Sequence, residues 1–299
     1  MNSSCTILRV LRTSLLCVAG LALGACSTLN DRGTYLVDTG HPARYTDSRV
    51  QFLVMHYTAL SLPDSLHVLT EEAVSVHYLV PDVPQSQDGK LIAYQLVPEA
   101  QRAWHAGASE WQGTTELNGT SIGIENVNPG FRDTPQGRVW FPYTPKQVEL
   151  IVALAKDLVT RYHIAPTRVV GHSDIAPQRK QDPGPLFPWQ ALAEAGVGAW
   201  PDAAAVSRFL NGRAPQAPLP AAAIGGLQAK LARYGYAVPQ TGTLDPATTH
   251  VIAAFQMHFR PADFSGVPDA QTEALLDALL EKYPNDWTPR QAPDRHEPE

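Results

Sequence analysis

The chain has 299 residues, 44% of them hydrophobic and 17% charged, which is enough for two domains with real cores. Its formal net charge is −6, and removing Arg9 and Arg12 with a leader makes the balance more negative. A nucleic-acid binder needs a basic footprint, and this composition excludes one, so no steep Coulombic attraction to anionic polymers is expected.

Residues 1–25 read as a secretory signal: Arg9 and Arg12, an apolar stretch from Leu15 to Leu23, then small residues. That stretch is too short to span a bilayer comfortably. Leu23-Gly24-Ala25-Cys26 resembles a bacterial lipobox, which implies cleavage before Cys26 and acylation of its thiol and new amino group. The plainer alternative is an ordinary leader with Cys26 incidental. Ser27 follows where such lipoproteins would carry Asp for inner-membrane retention, so the pattern favours a lipid anchor in the outer membrane, facing the periplasm. Acyl burial contributes about 0.8 kcal/mol per methylene, and a triacylated Cys exceeds the two signals that stable anchoring takes. Cys5 and Cys17 leave with the leader, so the mature chain keeps one blocked thiol and no disulfide.

Residues 26–48 are polar, lack apolar periodicity and read as a tether; residues 49–210 read as one α/β domain. Phe52-Leu53-Val54-Met55-His56 is an apolar run ending in histidine. Pro63 to Glu72 reads as a helix with its turn, with Asp64, Ser65 and Thr70 as capping candidates. Val74 to Val80 and Leu91 to Val97 read as strands around a turn-rich loop. Trp104-His105-Ala106-Gly107 opens an irregular segment through Asn118, and Ser121 to Glu125 is a strand with a carboxylate at its end. Thr144-Pro145 starts a helix with Val148, Ile151, Val152, Leu154, Ala155, Leu158 and Val159 at helical spacing. Val169-Val170 runs into Gly171-His172 as a short buried strand that ends in a loop. The alternation predicts a central mixed β-sheet flanked by helices.

Residues 211–220 contain three prolines and read as a semi-rigid spacer without a packed interface. On that reading a chain ending near Asn211 folds and works alone on small soluble substrates. Residues 221–281 carry three helical patterns: Leu227, Leu231 and Tyr234; Val251, Ala254, Phe255 and His258; Leu275, Leu276 and Leu279. Residues 282–299 are charged and Pro-rich and read as a disordered tail.

The chemistry gathers in the loop from Gly171 to Pro185, which offers one imidazole, one ammonium and two carboxylates. Zinc favours imidazole with carboxylate or thiolate, with one position left to water in catalytic sites. His172 and Asp182 supply two ligands, and His56, at the end of the other apolar run, supplies the third. A lone strand-end histidine is more often a hydrogen-bonded core residue; two of them with Asp182 reverse that reading. An isolated Glu125 reads as a surface or salt-bridged residue, and an isolated Lys180 as a solvated one.

GHSDIAPQRKQDPGP (171–185), with VMHYTA (54–59), VSVHYLV (74–80), WHAG (104–107) and SIGIE (121–125), resembles the zinc-dependent N-acetylmuramoyl-L-alanine amidases of the type-2 family, which share the fold of the peptidoglycan recognition proteins. The match runs in order from about residue 49 to 200. Residues 221–281 resemble the three-helix peptidoglycan-binding domain, with a generic helical bundle as the alternative. The whole is most similar to outer-membrane lipoprotein amidases with that domain appended. The resemblance implies one zinc ion per chain on His56, His172 and Asp182, Glu125 as the catalytic acid–base and Lys180 as the group that stabilises the oxyanion. The implied reaction is hydrolysis of the amide between N-acetylmuramic acid and L-alanine in peptidoglycan and muropeptides, by a monomer. Tyr57, Thr58, Trp104, His105 and Arg179 are candidate substrate contacts, Arg179 as a bidentate partner for a stem-peptide carboxylate. Two other functions stay open: a non-catalytic peptidoglycan-binding receptor or tether on the same fold, and a zinc amidohydrolase for an unrelated amide.

Overall fold

The computed structural model describes residues 28–46 and 48–284. The segment read as a leader, Cys26 and the residues from 285 on lie outside the described residues. The residues before Ser48 form a unit of their own. In it, Leu29–Asp31 pairs antiparallel with Leu36–Asp38, so the segment read as a tether carries a short exposed hairpin.

In the second unit the run ending in His56 is strand β1 (Phe52–Tyr57), followed by β2 (Tyr78–Val80), β3 (Tyr94–Gln95), β4 (Ser121–Asn126) and β5 (Val169–Gly171). Their spatial order is β5-β1-β4-β2-β3. The first four are parallel and β3 is antiparallel, which makes the mixed sheet the sequence predicts. The second and third strands are shorter than expected. His77, just before β2, accepts the Gly123 N–H through its Nδ1 at 3.1 Å, so an imidazole takes a main-chain donor of β4. Lys90–Leu91 turns back on Ser86–Gln87, leaving only Tyr94–Gln95 to join the sheet.

Side chains alternate across a strand, and the two faces differ in what covers them. Leu53, Met55, Ile122, Ile124 and Val169 pack with Leu150, Ile151, Ala155 and Leu158 of helix α2 (Pro145–Tyr162). Thr144 caps that helix by accepting the Gln147 N–H, and Pro145 sits where its missing donor costs nothing. Helix α1 (Leu62–Glu71) is capped by Ser61, not by the three residues its sequence offered.

Phe52, Val54 and Val170 face the other way. They belong to one apolar core with Trp111, Leu117 and Ile175, and that core continues into Leu227, Leu231, Tyr236 and Phe255 of the C-terminal domain. In chain order, α3 (His172–Ile175), α4 (Trp189–Glu194) and α5 (Ala203–Leu210) come between the last strand and the C-terminal domain; the domain itself is α6 (Ile224–Tyr234), α7 (Pro246–Phe259) and α8 (Ala270–Lys282).

The spacer reading is therefore corrected. Leu219 N–H donates to Pro268 O at 3.1 Å, Ala270 N–H to Ala217 O at 2.9 Å and Gln271 N–H to Pro215 O at 2.9 Å. Prolines remove donors but leave carbonyls, and the carbonyls of Pro215 and Ala217, with the Leu219 N–H, dock the segment onto the start of α8. Gln112 N–H donates to Gly235 O at 2.9 Å, and Lys282 pairs with Asp202 at 2.6 Å. The tail reading is corrected at its first residues: Lys282 ends α8, and the Trp200 N–H donates to the Tyr283 hydroxyl at 3.3 Å.

Candidate active site

His56, His172 and Asp182 converge at the carboxyl ends of β1 and β5, where open α/β sheets place their ligands. All three are buried. His56 Nδ1, His172 Nδ1 and Asp182 Oδ2 lie 3.0 Å from one another. The loop that brings Asp182 back is pinned by the Ser173 N–H donating to the Asp182 carbonyl at 2.8 Å. It also crosses so close that a Cβ on Gly171 would stand 2.7 Å from the Pro183 ring.

Hydrogen bonds behind the histidines fix which nitrogen carries the proton. His172 Nε2 donates to the Ala106 carbonyl at 3.0 Å. Arg179 Nη2 lies 3.3 Å from the same nitrogen, but its two hydrogens serve the carbonyls of Ala106 and Ala108. His56 is fixed through a longer chain. Ser121 spends its single hydroxyl proton on Leu117 O at 2.6 Å, so its oxygen accepts from His105 Nε2 at 3.2 Å. His105 Nδ1 must then accept, and it does so from His56 Nε2 at 2.9 Å. Both inward-facing Nδ1 atoms are left as bare lone pairs beside a carboxylate oxygen. Three acceptors with no hydrogen among them repel one another unless a cation lies between them, and two imidazoles with one carboxylate are a donor set for a borderline divalent metal.

The electrostatics agree. Burial lowers the His56 pKa to about 4, helped by His172 across the site, so the ring is neutral at pH 7. Burial alone would raise Asp182; positive charge facing it, as from a cation between the three donor atoms, holds its carboxyl below the ordinary range. Glu125 is pushed well above its ordinary range, first by burial and then by Asp182, while Lys180 opposes. Its Oε2 is buried without a hydrogen-bond partner. Glu125, Lys180, His172 and Asp182 all line one cavity of about 520 Å³.

Residues 46–185 match the N-acetylmuramoyl-L-alanine amidase family, and residues 221–276 match a peptidoglycan binding domain. Over 274 residues the chain is 49% identical to N-acetylmuramoyl-L-alanine amidase AmiD of Escherichia coli strain K12, covering 91% of this chain and 98% of that protein. The chain belongs to the N-acetylmuramoyl-L-alanine amidase family. Its fold matches that of E. coli AmiD in complex with the substrate anhydro-N-acetylmuramic acid-L-Ala-D-gamma-Glu-L-Lys, with a TM-score of 0.81 and 50% identity over 86% of this chain and 98% of that one. It also matches AmpDh3 from Pseudomonas aeruginosa in complex with anhydromuramic pentapeptide, with a TM-score of 0.73 and 41% identity over 85% of this chain and 98% of that one.

The remaining residues singled out in this amidase, Tyr57, Thr58, Trp104, His105 and Arg179, line the same cavity. Trp104 is 54% exposed at the rim, with the Arg102 guanidinium 4.0 Å over its ring. Burial, with Asp182, raises the Tyr57 phenol to about 12, so it remains an O–H donor. His105 and Arg179 have their polar atoms engaged by the protein, His105 between His56 and Ser121, Arg179 on two backbone carbonyls. His105 also explains the glycine of SIGIE, because a Cβ on Gly123 would stand 2.6 Å from its ring.

Sequence reasoning passed over the hairpin Phe131–Thr134/Gly137–Trp140, which gives the cavity Phe131 and Arg138. Arg138 pairs with Asp133 at 2.8 Å, donates to Gln181 at 2.8 Å and covers Phe131 at 3.6 Å. The turn residues Thr134-Pro135-Gln136-Gly137 signal a hairpin, but nothing in them signals a cavity wall.

Proposed function

We propose that the protein hydrolyses the amide between the lactyl group of N-acetylmuramic acid and L-alanine in peptidoglycan and muropeptides, anhydro-muropeptides included, for cell-wall turnover. The observation that carries this reading is the cluster of three aprotic donor atoms, on His56, His172 and Asp182, that adjoins a cavity also lined by Lys180 and by Glu125 with its unpartnered Oε2. A relative 50% identical holds an anhydro-muropeptide substrate, which supports the substrate class.

His56, His172 and Asp182 hold one zinc ion per chain. Bound there, zinc supplies Lewis-acid polarisation of the scissile carbonyl and makes water acidic enough to ionise near pH 7. Glu125 takes the water's proton and returns it to the leaving amine. A carboxyl held above its ordinary range suits that two-way task near neutral pH. Lys180 places its positive charge where the carbonyl oxygen becomes anionic. Tyr57, Thr58 and the exposed Trp104 contact sugar or peptide, whereas His105 and Arg179 act on the site from behind, His105 by orienting His56.

The LGAC segment supports a lipid anchor on Cys26 in the outer membrane, with the enzyme facing the periplasm; the working unit in this reading is the monomer. No helix among the described residues is long and apolar enough to cross a membrane. Cys26→Ser is expected to abolish incorporation of labelled palmitate. The function is tested by metal analysis and by turnover of purified anhydro-muropeptide and intact sacculi side by side. One zinc per chain, with release of peptide bearing a free L-alanine amino group, is expected; a metal-loaded protein that binds both substrates and cleaves neither would instead be a receptor.

A further inference from the structure

Asp174 is the third residue of α3, the single helical turn that begins with His172, and the whole turn is buried. Its Oδ2 accepts the Gly171 N–H at 2.7 Å. The turn's own Ser173 N–H holds the Asp182 carbonyl at 2.8 Å. The turn thus joins two of the three donor residues, His172 at its head and Asp182 across its backbone.

The other partners of the Asp174 carboxylate come from the helical domain. The Tyr236 hydroxyl donates to Oδ1 at 2.6 Å, and His258 Nδ1 lies 2.8 Å from Oδ2. Both donors are held in turn by the catalytic domain. His258 stacks on Trp189 with ring centroids 3.8 Å apart, and Tyr236 packs edge-on against Trp111 at 4.7 Å. Interlocking of this kind is foreign to a flexibly tethered wall anchor.

A buried carboxylate left with one backbone donor is strongly penalised, and the chain moves to hydrate it. Donor atoms mutually 3.0 Å apart leave little room for such movement, because metal and catalytic constellations tolerate only about 0.5 Å of displacement. We propose that the helical domain is a working part of the metal site: Tyr236 and His258 are positioning residues that hold α3, and through it His172 and Asp182, in the metal-binding arrangement. This rests on the reading of His56, His172 and Asp182 as metal ligands.

The test uses the full-length chain stripped of metal, titrated with zinc(II) or cobalt(II) against a competing chelator. Tyr236→Phe removes one oxygen and no packing; His258→Leu removes the ring donor. The double variant is expected to bind metal about 10- to 100-fold more weakly, the range for losing groups that orient ligands. His258→Asn keeps a donor near the Nδ1 position without the ring and is expected to restore most of the affinity. Leu276→Ala, in the core of the helical domain, lowers thermal stability but leaves metal affinity and the cobalt(II) absorption spectrum unchanged. Wild-type affinity in both Tyr236→Phe and the double variant overturns the proposal, as does equal weakening in Leu276→Ala. A wild-type chain that takes up no metal fells the ligand reading as well, whereas wild-type uptake with unaffected variants fells this inference alone.

Discussion

Glu125 stands directly across from His56 in the register of two adjacent parallel strands, β4 and β1. Pairing in register puts both side chains on the same face, so the proposed proton carrier and a metal ligand come from one rigid piece of sheet. The orphaned Oε2 of Glu125 is then a fixed acceptor in the cavity, not a wandering surface carboxylate. Glu125→Gln keeps the shape and removes the base. We expect turnover to fall by about 10²- to 10⁴-fold, the usual contribution of a positioned acid–base, with metal content unchanged. Steady-state kinetics with metal analysis on the same sample checks this, and a variant within tenfold of wild type would remove Glu125 from the chemistry.

The chain from Leu117 O through Ser121 and His105 to His56 orients one lone pair at the metal site from three residues away. Ser121→Ala deletes the acceptor for His105 Nε2, and the imidazole can then turn or change tautomer. Zinc affinity is expected to drop by about 10-fold or more, as for other lost ligand-orienting groups. Chelator competition measures it. Because Ser121 is buried and one oxygen smaller as Ala, unchanged affinity with a native melting curve would show that His56 is held by packing alone.

Much of this site was legible in the sequence because its signals are local. An apolar run ending in histidine gave His56 and His172 their places, and a Pro- and Gly-punctuated loop brought Asp182 within reach. What was not legible depends on contacts distant along the chain. Asp174 meets Tyr236 and His258 from 62 and 84 positions away, and no periodicity marks a carboxylate as theirs. The prolines of 211–220 suggested a free spacer, yet two carbonyls and the Leu219 N–H were enough to dock that segment at the start of α8. Arg138 escaped notice because its hairpin is mostly exposed, and a single cross-strand pair, Phe131 and Trp140, is all that marks its inner face.

A third prediction concerns acid stability and lies away from the metal. Glu99 accepts hydrogen bonds from Arg161, Tyr162 and Tyr78, and the Arg161 bonds above all lower its pKa from 4.5 to about 2. A carboxyl depressed by folding contributes its full stability above the unfolded value, and the contribution is lost as pH falls through the folded value. The unfolded chain takes up the proton first, so stability declines between about pH 4.5 and 2. Glu99→Gln should be less stable than wild type at pH 7 and show a shallower acid limb in that window. Urea midpoints measured across the window decide it, and parallel curves for the two proteins would mean the network carries no linked proton.

The last prediction concerns what happens when the helical domain is removed. A chain that stops after Asn211 loses Leu227, Leu231, Tyr236 and Phe255, which share one core with Phe52, Trp111, Leu117 and Ile175. Trp111 is only 1% exposed in the full chain and would face water. Asp174 would keep the Gly171 N–H but exchange both side-chain partners for water, so α3 would lose its tie to the second domain. The shortened chain is therefore expected to keep part of its far-UV signal, bind a hydrophobic dye, lack a cooperative melt and bind zinc more weakly than the full chain. Its activity should fall on small soluble muropeptides as much as on sacculi, because the defect lies in the catalytic domain and not in wall binding. Differential scanning calorimetry and turnover of anhydro-muropeptide test this together. A cooperative melt with full zinc affinity and full turnover on the soluble fragment would mean that the shared core is dispensable and that the helical domain serves only to hold the wall.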